Sequence, residues 1–381
     1  MAKSARRSLG VPGLPALLTA GLCAWTLFVF IRYFDPGALP GQAAAFFASW
    51  APGRFSEAGW PQHLGVWAES LGLLAVSLLA LLNNWWLGAV LLERLGLSRV
   101  KSPVRWGLES ALGALASSLF WLGLGFSKLW EPAPLIFLGL VAAGPAGWKL
   151  RERLRASRPF PAPPGPLLGA LTAAALAAWA LGFLQAFLPE TFYDSLNYFL
   201  GVPHFWALRH GVCDEPGQIL SGYFHGGTLF LMDGFYFGGA GAAKMLAFFS
   251  AFACAAFAGA WAGEEAGVGA GWTAFGLTAA FPLLALNGWA ARVDGLLTFC
   301  LLAFFYACRK CFPAAAPGWG AAAGLLGGYA VTVKPTALVG IAAVLLCLLP
   351  AWRRAPGRAW LTPLALGAGV VAPWLAKNAC F

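Results

Sequence analysis

Apolar runs long enough to cross a lipid bilayer recur along this chain, at about 14–33, 66–92, 107–126, 133–148, 166–188, 241–262, 268–286, 294–308, 319–333, 336–352 and 360–376. Most are apolar all round, as helices facing hydrocarbon must be. The pattern predicts an all-α polytopic membrane protein of about eleven transmembrane helices. Asn83 and Asn84 lie inside the second run, where amides hydrogen-bond between helices. From Pro189 to about Ala240 the pattern breaks. That stretch holds five of the fifteen acidic residues (Glu190, Asp194, Asp214, Glu215, Asp233) and three of the four histidines (His204, His210, His225). It reads as an interfacial outer segment, with Tyr193, Tyr198, Trp206, Tyr223 and Tyr236 suited to the headgroup layer.

Composition strengthens this picture. Sixty per cent of the residues are hydrophobic and ten per cent charged, against about 25% charged in a soluble domain. The net charge of +10 is dispersed in short clusters between apolar runs, with no basic stripe for nucleic acid. With a cytoplasmic N-terminus, 17 of the 25 basic residues fall on inside segments, and Arg32, Arg54, Lys128, Arg209, Lys244, Arg292, Lys334 and Lys377 fall outside. One inside loop carries Glu264 and Glu265 with no basic partner in sequence. The basic N-terminus and first run read as an uncleaved span. The linker at about 148–166, basic and then proline-rich, divides a four-span unit (1–165) from a membrane core (166–381). Of the eight cysteines most lie in apolar runs, and the Cys308–Cys311 pair is a lone CxxC that reads as buried thiols.

Candidate chemistry concentrates in the outer segment. In TFYDSLNYFL (191–200), Asp194 stands just past a span, and a helix would put Asn197 and Tyr198 on its face. An acid there can act as a general base or a metal ligand, or be an ordinary interfacial aspartate. Asp294 follows Arg292 at an outer helix end, where it can be functional, ion-paired or a helix cap. Lys334 in TVKPT faces outward against the usual bias, as a phosphate contact or a snorkelling lysine. His225 can bind phosphate or metal, or be a hydrogen-bonded interfacial histidine. Asp214–Glu215 reads as a solvated loop, and Asp233 carries no assigned role.

The segment PETFYDSLNYFLGVPHFW (189–206) resembles the first outer loop of the GT-C superfamily of integral-membrane glycosyltransferases, those related to protein mannosyltransferases and aminoarabinose transferases. Asp194, Ser195, Leu196, Tyr198, Leu200 and Pro203 fit that pattern, whereas Phe199 stands where the family has histidine. GAAKMLAFFSAFACAAFAGAWA (241–262), LNGWAARVDGLLTF (286–299), GYAVTVKPTAL (328–338) and APWLAKN (372–378) follow in the family's order. The resemblance covers about 166–381 and leaves out the first four spans. It implies transfer of a sugar from a polyprenyl-phosphate donor to a lipid, glycan or protein acceptor, at the outer face of a membrane such as the bacterial inner membrane. In that scheme Asp194 and Asp294 are catalytic and share a divalent metal. Tyr193, Asn197, Tyr198, His225, Arg292 and Lys334 bind substrate, with Lys334 on the donor phosphate. The family continues beyond the position of Phe381, so the core is expected to be incomplete at its C-terminus. Two other readings are a membrane transporter or lipid-handling protein, whose polar groups sit at mid-membrane, and an inactive glycosyltransferase fragment.

Overall fold

A computed structural model describes residues 60–100, 102–156, 161–215, 217–311, 316–349 and 361–380. The first expected span, at 14–33, lies outside them. Among the described residues the regular structure is entirely helical: α1 (Trp60–Arg94), α2 (Ser102–Phe126), α3 (Pro132–Ala156), α4 (Pro166–Gln185), α5 (Gly201–Leu208), α6 (Gly226–Ala266), α7 (Val268–Ala279), α8 (Pro282–Trp289), α9 (Asp294–Cys311), α10 (Pro317–Val333), α11 (Ala337–Cys347) and α12 (Leu361–Cys380). Five helices, α1 to α4 and α6, are long and apolar enough to cross a membrane; the number is six if α7 and α8, bent by 61°, form one broken span. The other expected runs correspond to α9 to α12, which fall short of that measure, so eleven crossings are not established.

Proline and glycine punctuate the helices. Pro166, Pro282 and Pro317 open α4, α8 and α10, where a missing N–H costs nothing. Gly267 (φ 90°) separates α6 from α7, and Gly239 (φ 64°) breaks α6 internally. The break is sharp enough that Gly234 packs on the backbone of Ala242. The 226–238 arm is largely buried at one end of the bundle, and the rest of α6 runs down its centre. Elsewhere small residues bring helices close. Gly88 of α1 meets the backbone of Glu109 in α2, and Gly324 and Gly328 of α10 meet Pro363 and Gly367 of α12. Asn83 donates across helices, as expected, to Gly139 O at 3.1 Å. Apolar side chains of α3 and α4, such as Phe137, Leu140, Val141, Leu167 and Leu171, point outward, as lipid-facing groups do.

Ion pairs mark one end of the bundle. Glu109, fully buried in α2, accepts from Trp85 Nε1 (2.9 Å), Arg105 Nε (2.7 Å) and Arg153 Nη2 (2.7 Å). Glu93 pairs with Arg105 (2.9 Å) and Lys149 (2.8 Å). At the same end Glu264 meets Lys310 (2.8 Å) and Glu265 meets Arg309 (2.7 Å). The sequence expectation that Glu264 and Glu265 lack basic partners is thus corrected: their partners lie in α9, some 44 positions on. The linker is corrected too. Its basic half, Lys149–Arg155, continues α3, and Lys149 and Arg153 pair back onto α1 and α2.

The excursion that covers the opposite end is 189–225, not 189–240 as expected: 226–238 is instead the largely buried arm of α6, because its glycines Gly226 and Gly227 pack on Thr332 and Val293. Trp206, expected at headgroup depth, is fully buried, because its indole donates to Cys213 O at 2.7 Å and packs on Trp130. Tyr193 and Tyr223 are exposed.

Candidate functional site

The site forms at the end opposite the ion pairs, where α9 begins and α10 stops. After α8 the chain extends through Ala290 and turns, with Arg292 N donating to Ala290 O at 2.7 Å. Asp294 then opens α9, where an acid suits the helix dipole. Lys334 ends α10 in an extended conformation before Pro335, which bars further helix. Packing of α9 on α10 brings Lys334 Nζ to 2.8 Å from Asp294 Oδ1. Arg292 Nη2 lies 3.1 Å from Asp294 Oδ2, outside hydrogen-bonding geometry. Asp294 therefore stands between two cations. All three side chains are 21–34% exposed, so solvent screens the pairs and each adds little stability. Arg292 Nε is buried with no hydrogen-bond partner among the described residues.

The second wall is the 189–200 segment. Glu190 Oε1 accepts from the N–H groups of Thr191 and Phe192, each at 2.9 Å, and Oε2 accepts from Ala291 N at 2.6 Å. The guanidinium of Arg292 lies 4.6 Å from the centre of the Phe192 ring. Asp194 leads into a widened helical turn, Ser195–Phe199, of the i→i+5 type, closed by Leu200 N to Ser195 O at 2.8 Å. The wider turn alters the face expected from α-helical spacing. Asn197 Oδ1 accepts from Gln218 Nε2 at 3.0 Å, and its amide approaches the Tyr193 hydroxyl at 3.5 Å. Tyr198 stays with the acids. Burial, then the carboxylates of Asp194 and Asp294, push its phenol up to about 12, with Arg292 opposing. Asp194 itself is half-exposed and has no hydrogen bond or ion pair among the described residues.

His225 lies apart from this cluster. Its Nε2 meets Leu220 O at 2.9 Å, its Nδ1 meets Thr228 Oγ1 at 3.4 Å, and its ring packs on Trp206. Burial, then the nearby Lys377 ammonium, holds the imidazole down at about 3, so it is neutral. Lys377, on α12, donates to Ser221 O (2.5 Å) and Tyr223 O (3.1 Å), tying α12 to the outer loop.

Three residues here escaped sequence reasoning as site residues: Glu190, Lys244 and Lys377. Lys244 donates to Gln185 O (3.1 Å) and Leu188 O (2.9 Å), fixing the end of α4. An ionisable group inside an apolar run was the available signal for it. Glu190 offered none beyond standing before the motif. Asp233, in the α6 arm, accepts from Ser117 Oγ and Trp121 Nε1.

Among the described residues no three His, Cys, Asp or Glu side chains gather as a metal site. Asp294 already faces two cations, so Asp194 and Asp294 make a poor fit for a shared divalent ion. Cys308 and Cys311 are free and buried. Two apolar cavities lie between helices. One, of about 530 Å³, is walled by Trp85, Trp106, Phe230, Phe257, Leu296 and Phe299. The other, of about 470 Å³, lies among α9 to α12. No family model, curated protein or solved structure matches this chain.

Proposed function

We propose that this protein transfers a sugar from a polyprenyl-phosphate donor to an acceptor hydroxyl at the outer face of the membrane. The observation that carries the reading is the Arg292–Asp294–Lys334 cluster at the end of the bundle away from the basic clusters, joined through Glu190 and Phe192 to the loop that bears Asp194. In this scheme the acceptor oxygen attacks the anomeric carbon and its proton passes to the unpartnered Asp194 carboxylate. The bond from that carbon to the phosphate oxygen breaks, and the lipid phosphate leaves with an added negative charge. The partly exposed side chains of Lys334 and Arg292 meet that charge. Asp294 is reassigned from catalysis to holding those two cations in place. No step is routed through a metal. The cavity bounded by Leu296 and Phe299, on the helix that Asp294 opens, is an apolar space suited to part of the lipid tail.

The test is turnover of polyprenyl-phosphate sugar by purified protein and its Asp194→Asn variant. Asparagine keeps the shape but cannot accept the proton. Loss of a general base costs about 10²–10⁴-fold in rate, with the unfolding temperature unchanged. Near-parental turnover would remove Asp194 from the mechanism, and an inactive parent would remove the reaction. One observation favours a second reading, a transporter or lipid-handling protein: Asp233 is held inside the bundle by neutral donors, beside the helix break at Gly239. Substrate flux into vesicles without sugar transfer would favour it.

A further inference from the structure

Two segments build the site from positions a hundred residues apart: the loop 189–194, which brings Asp194, and the turn 290–294, which brings Arg292 and Asp294. Each enters helix only at its end, and in the proposed reaction the spacing between them must match two substrates at once. Glu190 spans them. One carboxylate oxygen takes both N–H groups of its own loop, and the other reaches Ala291 N at 2.6 Å, one residue before Arg292. Charge-assisted bonds of this kind are short and strong. Two further contacts act on the same join. Arg292 lies over Phe192, and Lys244 holds the carbonyls of Gln185 and Leu188 where the loop leaves α4.

We infer that Glu190 is a positioning residue, a latch that fixes the loop bearing Asp194 against the turn bearing Arg292 and Asp294. Its catalytic consequence rests on the proposed transfer reaction; the latch itself does not. A carboxylate is needed because the position asks for two acceptor oxygens. Glutamine has one, and its NH₂ would face an N–H. Glu190→Gln is therefore nearly isosteric yet can serve only one of the two segments.

The experiment compares parent and Glu190→Gln by hydrogen–deuterium exchange over residues 286–294 and by steady-state turnover of polyprenyl-phosphate sugar. The expected result is faster exchange at Ala291 by about tenfold or more. We expect kcat to fall about 10–100-fold, as misplaced groups cause, while KM for the donor barely moves and the unfolding temperature holds. A role in stability alone would lower the unfolding temperature and leave kcat per folded molecule intact, which overturns positioning. Unchanged exchange at Ala291 overturns the latch. An Ala291 amide in the parent that exchanges as fast as open loop amides overturns it too, whether or not the variant folds. A parent that transfers no sugar defeats the reaction, while the exchange data still decide the latch.

Discussion

At the scale of single residues, surroundings rather than identity set the roles. Asp194 and Asp294 are the same side chain, yet one is half-exposed without a partner and the other stands between Arg292 and Lys334. Only the second has cationic partners among the described residues. His225 shows the same principle through burial. Its folded-state pKa lies near 3, below the ordinary 6.5. Between those values the unfolded chain binds a proton that the folded chain refuses, so stability rises with pH across that window and falls on acidification. We expect the unfolding temperature to drop as pH is lowered from about 6.5 towards 4, and His225→Gln to flatten that slope. A slope unchanged by the substitution would assign the pH dependence to other groups.

At the scale of elements, close helix approach and broken helices shape the site. α1 and α2 meet through Gly88 and Gly113, where an added Cβ at Gly88 would lie 1.7 Å from Glu109 O. Gly88→Ala should destabilise the fold by about 1–3 kcal/mol, the usual cost of overpacking. Gly72, on the same helix with nothing within 4 Å, is the control. There Gly72→Ala should be neutral or slightly stabilising, since alanine is the better helix former. Thermal unfolding of the two variants in detergent tests this, and equal effects would contradict the packing. The element absent from sequence expectation is the widened turn at Ser195–Phe199. Apolar periodicity cannot reveal a five-residue departure from α-helical spacing, so Asn197 was expected beside Asp194 and instead faces Gln218 and Tyr193.

At the scale of the whole molecule, the bundle has two chemically distinct ends. The networks of Glu93, Glu109, Glu264 and Glu265 with arginine and lysine occupy one, and the candidate site occupies the other. In the topology that the proposed function requires, the network end, with its excess of basic residues, faces the cytoplasm. In cells, Asp214→Cys, at an exposed loop position, should react with an impermeant thiol reagent from outside, in a background stripped of other reactive cysteines. Labelling from the cytoplasmic side alone would invert the topology and move the proposed reaction to the other face.

Helical class, the apolar runs, the basic ends and the special character of 189–225 were legible in sequence because each is local or additive. Hydrophobicity sums over a window, charge bias sums over loops, and proline or glycine ends a helix where it stands. Asp194, Arg292, Asp294 and Lys334 could be named from where they fall along the chain. Which of them would pair could not be read there. Lys334 meets Asp294 across 40 positions, Glu190 meets Ala291 across 101, and Lys377 meets Ser221 across 156. Those pairings follow from how α9, α10, α12 and the centre of α6 pack, which no local pattern encodes. The tertiary structure alone decided that Asp294 stands between two cations, that Asp194 has no ion-pair partner among the described residues, and that a glutamate outside the expected site joins its two walls.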